Sequence, residues 1–233
     1  MSGQPRLAAR QLGLDLPVAP RFGREDFLVS PCNAAAVGRF EAWPDWAHRV
    51  LLLLGPTGAG KSHLAAIWAA RTDATVLPAT ELSLARLPEL ASAPALVIED
   101  ADRAVGREAE LFHLLNLVRQ GERVGPWLVI TARLWPDSWG LATRDLVSRL
   151  RLAPAIEIGE PDDDLVRAVL VKLFDDRQLA VDASVVDYLA LRIDRSLGAA
   201  RSIVETLDRE ALARGRGVTR PMAADVLRAL EEP

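Results

Sequence analysis

One short stretch of the sequence, GPTGAGKS at 55–62, combines the residue types that hold phosphate groups. It matches G-x-x-x-x-G-K-[ST], the pattern of a phosphate-binding loop. The glycines let backbone N–H groups curl around phosphates, and the helix that follows directs its positive end at their charge. We expect Lys61 to reach the β- and γ-phosphates and the Ser62 hydroxyl to bind Mg²⁺. The predicted nucleotide-binding residues of this stretch are Gly55, Pro56, Thr57, Gly58, Ala59, Gly60, Lys61, Ser62 and His63.

Such a loop works with an acidic residue at the end of a second strand, which holds Mg²⁺ and polarises water. The stretch LVIED at 96–100 supplies Glu99 and Asp100. Matched by position, Glu99 binds the magnesium ion and Asp100 activates water. The Asp side chain is shorter than Glu in this role, so at most weak intrinsic ATPase activity is expected. The alternative is that both carboxylates cap the next helix.

Two further polar residues lie at the ends of apolar or helical stretches. Thr131 ends the stretch LVIT, where its hydroxyl could contact a γ-phosphate or orient water, although a turn residue fits equally well. Arg149 lies in RDLVSRL, just before the last predicted strand. Its spacing of four residues from Asp145 also fits an ordinary ion pair on a helix surface.

Five short apolar runs must position these residues, and they occupy 49–55, 74–79, 95–100, 127–132 and 153–159. Runs such as VLLLL do not alternate with polar residues, which is typical of strands covered on both faces. Helical patterns lie between the runs. This alternation predicts an α/β fold with a parallel sheet and right-handed crossovers.

The strand signal stops near residue 159, and only helical patterns follow it. Ser196 and Thr219 are predicted to cap two of these helices. The sequence therefore predicts three parts: a flexible tail at 1–20, an α/β domain at 21–158 and a small all-helical domain at 159–233.

Composition argues against several classes of protein. The formal net charge of −4 does not suit a protein that holds nucleic acid by charge alone. Cys32 is the single cysteine of the sequence, so an internal disulfide is excluded and a reducing compartment is favoured. Apolar stretches fall short of the ~20 residues that span a bilayer, and the N-terminus lacks the pattern of a signal peptide. We expect a cytoplasmic location.

Taken together, these features resemble the AAA+ family and its DnaA initiator branch, and they are most similar to the Hda regulators of that branch. The stretch DFLVSPCNAAA at 26–36 resembles the N-terminal box of the branch, which implies that Leu28 and Val29 contact adenine. FHLLN at 112–116 resembles its F-H-x-x-N helix, and DLVSRL at 145–150 its arginine-finger box. DRSLGAA at 194–200 is similar to its sensor II segment.

This resemblance implies an AAA+ core with a five-stranded parallel sheet and a helical lid, with ADP or ATP and Mg²⁺ as ligands. It implies that Arg149 is an arginine finger directed into a neighbouring molecule's nucleotide site, and that Arg195 is the sensor arginine. An arginine supplied in trans is worth about 10³–10⁵ in rate. Hda proteins stimulate ATP hydrolysis by DnaA and thereby inhibit replication initiation.

The tail carries QLGLDL at 11–16, which fits Q-L-x-L-x-L, the sliding-clamp-binding hexapeptide of Hda proteins. The Gln11 amide would bond in a small pocket while Leu12, Leu14 and Leu16 supply the apolar contacts. The alternative is that these leucines pack on the chain's own core. The resemblance thus implies two partners, DnaA and the β sliding clamp of DNA polymerase III. Contact with DNA would be indirect, no membrane is involved, and a homo-oligomer stays open.

Two other functions remain open from the sequence. One is a self-contained ATPase, such as a helicase loader of the DnaC type, which should lack the clamp hexapeptide. The other is a DnaA-like adaptor that binds a partner without hydrolysing nucleotide, for which the order Glu99-Asp100 leaves room.

Overall fold

The structure is a computed structural model that describes residues 23–104, 106–120 and 125–231. Its parallel strands form one sheet in the order β2-β3-β4-β1-β5. The strands are β1 (Val50–Leu54), β2 (Thr75–Pro78), β3 (Ala95–Glu99), β4 (Trp127–Ala132) and β5 (Ala155–Glu157). All five lie within the apolar runs that predicted them, and the predicted α/β class with a five-stranded parallel sheet is confirmed.

Helices cover both faces of this sheet and continue beyond it. Those of the sheet region are α1 (Ala34–Glu41), α2 (Lys61–Thr72), α3 (Leu87–Ser92), α4 (Glu108–Gln120) and α5 (Arg144–Arg151). Those that follow are α6 (Asp163–Asp176), α7 (Ala183–Ala190), α8 (Leu197–Arg214) and α9 (Arg220–Glu231). The helical patterns do not predict α1 and α3, because α1 begins with four consecutive apolar residues, which show no helical period, and α3 has only six residues.

The central strand β1 explains why the apolar runs do not alternate with polar residues. Leu52 and Leu54 pack with α3, α4 and α5 on one face, whereas Leu51 and Leu53 pack with α1 and α2 on the other. Successive side chains of a strand point to opposite faces, so a strand between two helical layers must be apolar at every position. All five residues of β1 are buried.

The last four helices enclose an apolar cluster of their own, which includes Leu170, Leu189 and Leu207. The Ser196 hydroxyl accepts a hydrogen bond from the Ala199 N–H at 3.3 Å, which confirms Ser196 as the N-cap of α8. We call α6–α9 the lid because α8 begins directly against the phosphate-binding loop, as described below.

Two sequence predictions concern other parts of the chain. The hexapeptide at 11–16 lies outside the described residues. Among the helices that the structure describes, none combines the length and apolar character needed to cross a membrane.

Candidate nucleotide-binding site

The predicted phosphate-binding loop connects β1 to α2, and it depends on backbone that favours glycine. Gly55 and Gly58 have φ angles of 146° and 75°. A Cβ on Gly55 would come within 2.3 Å of the carbonyl oxygen of Ile158, the residue that follows β5, so the loop can pass there only without a side chain. Helix α2 begins at Lys61, which places its N-terminus at the end of the loop.

Lys61 is held against the loop that precedes it. Its ammonium group donates to the carbonyl oxygens of Gly55 at 2.8 Å and Pro56 at 2.9 Å. Burial lowers the pKa of Lys61 below its ordinary value, while the negative charges of Asp100 and Asp102 act in the opposite direction. The cation is therefore fixed where a phosphate over the loop would meet it.

The carboxyl ends of three neighbouring strands, β3, β4 and β1, bring further groups to the same edge of the sheet. Asp100 follows β3 with a φ of 52° and lines the cleft beside Lys61 and Ser62. Glu99 is the last residue of β3 and does not line this cleft. Of the two predicted carboxylates, Asp100 is thus the one that faces the loop.

Thr131, near the end of β4, is fully buried. Its hydroxyl oxygen accepts a hydrogen bond from the Asp100 N–H at 3.1 Å. The structure therefore places Thr131 behind Asp100, where it fixes the backbone of that residue. Its predicted contact with a γ-phosphate stays a prediction.

Mg²⁺ prefers hard oxygen ligands and keeps several of its waters. The Ser62 hydroxyl and the Asp100 carboxylate line the same cleft and have this chemistry, so these residues fit the ion. When bound, Mg²⁺ would neutralise phosphate charge. Among the described residues there is no cluster of three or more His, Cys, Asp or Glu side chains that could hold a metal by themselves, so the nucleotide would supply the remaining ligands.

Three arginines that sequence reasoning did not select line the same cleft, which has a volume of ≈ 350 Å³. They are Arg103 after β3, Arg133 after β4 and Arg201 on α8. Arg133 could have been found, because it directly follows a predicted strand whose carboxyl end meets the loop. Arg201 could not, because only the packing of the lid on the core brings it there.

The lid closes on the loop through backbone contact. The Leu197 N–H donates to the Gly58 carbonyl oxygen at 2.9 Å. A Cβ on Gly58 would lie 1.9 Å from the Ser196 hydroxyl oxygen, so this approach requires glycine. The first turn of α8 and the phosphate-binding loop therefore form one joint.

The structure places the predicted sensor arginine, Arg195, outside this cleft. Its guanidinium pairs with the Asp163 carboxylate at 3.0 Å, and more than half of its side chain is exposed. Arg201, six residues further along the chain and on α8, is the lid arginine that lines the cleft. Arg195 as the sensor stays a prediction that the geometry does not favour.

The predicted adenine box at 26–36 lies beside the cleft and is fixed by a buried asparagine. The Asn33 amide donates to the Leu28 carbonyl at 3.0 Å and accepts from the Ser30 N–H at 2.9 Å. Val29, between them, is 50% exposed and available to a ligand. His63 contacts Phe27 of the same box, with ring centroids 5.1 Å apart.

Arg149 lies at the opposite side of the sheet, near the amino ends of the strands. It lines a separate cavity of ≈ 480 Å³ together with Val50, the first residue of β1, whereas the phosphate-binding loop follows the last residue of that strand. Five strand residues separate the two places by about 13 Å. The side chain is held by Asn116, whose Oδ1 accepts from Nη1 at 2.5 Å, and by the Phe112 ring at 4.8 Å. Its Nε also donates to the Asp145 carboxylate at 3.2 Å, so the ion pair on the helix surface that the spacing allowed is present.

Sequence comparison shows similarity to a replication initiator. The chain is 28% identical over 239 residues to the chromosomal replication initiator protein DnaA of Caulobacter sp. (strain K31), which covers 86% of this chain and 46% of that protein. The chain thus spans under half the length of this relative. No protein-family model matches the chain.

Structural comparison gives a likeness over most of the chain. Domain III of the Thermotoga maritima replication initiation protein DnaA superposes with a TM-score of 0.79 at 18% identity, covering 93% of this chain and 100% of that one. AMPPCP-bound DnaA from Aquifex aeolicus gives 0.65 at 18% identity, with 80% and 64% covered. The predicted AAA+ fold, a five-stranded parallel sheet with a helical lid, is confirmed, and it is similar to the fold of DnaA domain III.

Proposed function

We propose that this chain is a DnaA-related regulator that binds ADP or ATP with Mg²⁺ and binds the sliding clamp of DNA polymerase III. Bound to the clamp, it stimulates ATP hydrolysis by DnaA and so inhibits the initiation of chromosomal replication. Its own ATPase activity is weak. The nucleotide site, the finger and the tail each contribute one part of this activity.

The observation that carries the proposal is the position of Arg149 at the opposite edge of the sheet from the phosphate-binding loop. An arginine in that place does not serve the nucleotide of its own chain, but it can enter the site of a neighbouring molecule. Asn116, Phe112 and Asp145 hold the guanidinium with 30% of the side chain exposed, so it is oriented before a partner arrives. Such preorganisation favours stabilisation of transition-state charge.

Similarity to a DnaA initiator makes DnaA the neighbouring molecule that we favour. The tail motif at 11–16 supplies the second partner, because Gln11, Leu12, Leu14 and Leu16 match the clamp-binding hexapeptide. With a net charge of −4, the protein would reach DNA through the clamp rather than by charge.

The test is ATP hydrolysis by DnaA in the presence of clamp loaded on DNA. We expect the wild-type chain to accelerate hydrolysis and Arg149→Ala to abolish the acceleration while clamp binding is kept. Removal of a trans arginine costs up to about 10³–10⁵ in rate. Arg151→Ala is the matched control, because Arg151 lies on the same helix but pairs with Asp137 at the surface.

The same assay tests the tail. Replacing Gln11 and Leu14 by Ala should remove both clamp binding and acceleration, with nucleotide binding unchanged.

Normal acceleration by Arg149→Ala would show that the finger is misassigned. Rapid hydrolysis by the chain alone, with no effect on DnaA, would favour a self-contained ATPase of the helicase-loader type instead.

A further inference from the structure

Lys172 lies on α6 of the lid and reaches across to the α/β domain. Its ammonium nitrogen lies 2.6 Å from Oδ1 of Asp26. It also donates to both carboxylate oxygens of Asp176, one turn further along the same helix, at 3.0 Å and 2.9 Å. One cation thus links the lid to Asp26, the first residue of the adenine box at 26–36.

The ion pair between Lys172 and Asp26 is largely removed from solvent. The Asp26 side chain is 11% exposed and that of Lys172 is 24% exposed. Burial works against the charge of Lys172, but the hydrogen bonds to Asp26 and Asp176 outweigh it and raise the pKa of the ammonium group. Because water screens this contact little, and because loss of one partner leaves a buried charge unpaired, the pair holds α6 and the start of the box together.

The residue after Asp26 connects the same point to the phosphate-binding loop. Phe27 is buried, and its ring centroid lies 5.1 Å from that of His63. A Cβ on Gly60 would lie 3.4 Å from the Phe27 ring, so the ring packs directly against the loop. The residues predicted to contact adenine, at 28–29, come next in the chain. Their position therefore depends on how the start of the box is held.

The lid meets the nucleotide-binding elements at two separate places. Helix α8 contacts the phosphate-binding loop through the Leu197 N–H and the Gly58 carbonyl oxygen. Helix α6 contacts the adenine box through Lys172 and Asp26. The first contact lies where phosphates would bind, and the second lies beside the residues expected at the base.

We propose that Lys172 is a positioning residue that makes the nucleotide site selective for adenine. Through Asp26 it fixes the adenine box between the lid and the loop, so that residues 28–29 meet the base in one arrangement. Its ammonium group is taken up by two carboxylates, so it acts through the box rather than on the nucleotide. The inference rests on the proposed nucleotide binding and names the residue that couples the lid to recognition of the base.

The test is calorimetric titration of the full chain with Mg²⁺-ADP and with Mg²⁺-GDP, which carry the same phosphates and differ in the base. We expect the wild-type chain to bind ADP more tightly than GDP. Lys172→Met keeps the length of the side chain and removes its charge. The ADP affinity should then fall about 10-fold, within the usual range for coupling between two contacts, while the GDP affinity changes little. Asp26→Asn should give the same selective loss.

Asp176→Asn is the matched control. It removes the other carboxylate beside Lys172 and leaves the contact with Asp26, so both affinities should stay at wild-type values. The double variant Asp26→Asn/Lys172→Met leaves neither charge of the pair unpaired, which keeps the test available should a single variant fail to fold. Its loss of ADP affinity should equal that of either single variant, because both act through one contact.

Equal losses for ADP and GDP, or no loss for either, overturn the inference while the nucleotide site itself stands. A wild-type chain without a preference for ADP, or a loss of the same size in Asp176→Asn, does so too. A wild-type chain that binds neither nucleotide overturns the inference and the proposed function together. A selective loss of ADP affinity in Lys172→Met and not in Asp176→Asn supports the inference and the nucleotide binding on which it rests.

Discussion

His63 lies half-buried where the phosphate-binding loop, the adenine box and the lid meet. Its Nε2 is 3.4 Å from the Gly23 carbonyl oxygen. Burial lowers the pKa of His63, and the positive charges of Arg201 and Lys172 act in the same direction. The Gly23 carbonyl and Asp26 oppose this shift without cancelling it. The folded chain therefore binds a proton at His63 less readily than the unfolded chain does.

This difference makes stability depend on pH. The pKa of His63 in the unfolded chain is about 6.5. Above that pH the neutral His63 contributes fully to the stability of the folded chain. The contribution is lost as the pH falls below that value, because the unfolded chain then binds more protons. We expect the free energy of unfolding to fall less for His63→Gln than for the wild type between about pH 7.5 and pH 5.5. Urea denaturation at the two pH values measures this. An identical fall in both proteins would contradict the prediction.

The joint between the phosphate-binding loop and α8 connects two elements that are far apart in sequence. Two features of Gly58 disfavour a side chain: its positive φ of 75° and its close approach to Ser196. The approach to Ser196 is the feature that involves the lid. A substitution at Gly58 should therefore affect nucleotide binding as well as stability.

Gly58→Ala is expected to lose about 1–3 kcal/mol of stability from backbone strain and to bind nucleotide more weakly, because the new methyl group displaces the lid. Gly140→Ala is the matched control, since Gly140 has a φ of 70° but nothing within 4 Å of a Cβ. It should lose similar stability and keep its nucleotide affinity. Thermal unfolding and ADP titration check both variants; equal affinities would show that the lid contact does not matter for binding.

Strand β1 lies between the two helical layers of the α/β domain. The phosphate-binding loop follows its carboxyl end, and Arg149 lies near its amino end. Leu53 is fully buried at its centre. Leu53→Ala is expected to cost about 2–5 kcal/mol, because a cavity opens inside the sheet layer. Leu212→Ala, on a side chain that is 67% exposed, should cost far less. Urea denaturation compares them, and similar losses would contradict this account of the core.

Much of the fold could be predicted because its signals are local. Each strand is a short apolar run, and the loop GPTGAGKS has a fixed spacing. The position of Ser196 as a cap follows from the residue itself. Helix α1 was missed because it begins with four consecutive apolar residues, which show no helical period, and α3 because it has only six residues.

The candidate site was predictable in part. Lys61 and Ser62 belong to one continuous motif, so their chemistry could be inferred from spacing alone. The sequence could not show which of the two carboxylates faces the loop. Asp100, with its positive φ, lines the cleft, whereas Glu99 does not.

The motif at 55–62 and the alternation of strand and helix can thus be recognised from sequence order alone, since each is a pattern of neighbouring residues. The set of arginines around the cleft depends on three-dimensional packing. Arg133 takes its orientation from Asp102, 31 residues away, and Arg201 arrives with a helix that contacts the loop only after the lid has packed. Charge and hydrogen bonding act through space, so no spacing along the chain reveals such a set.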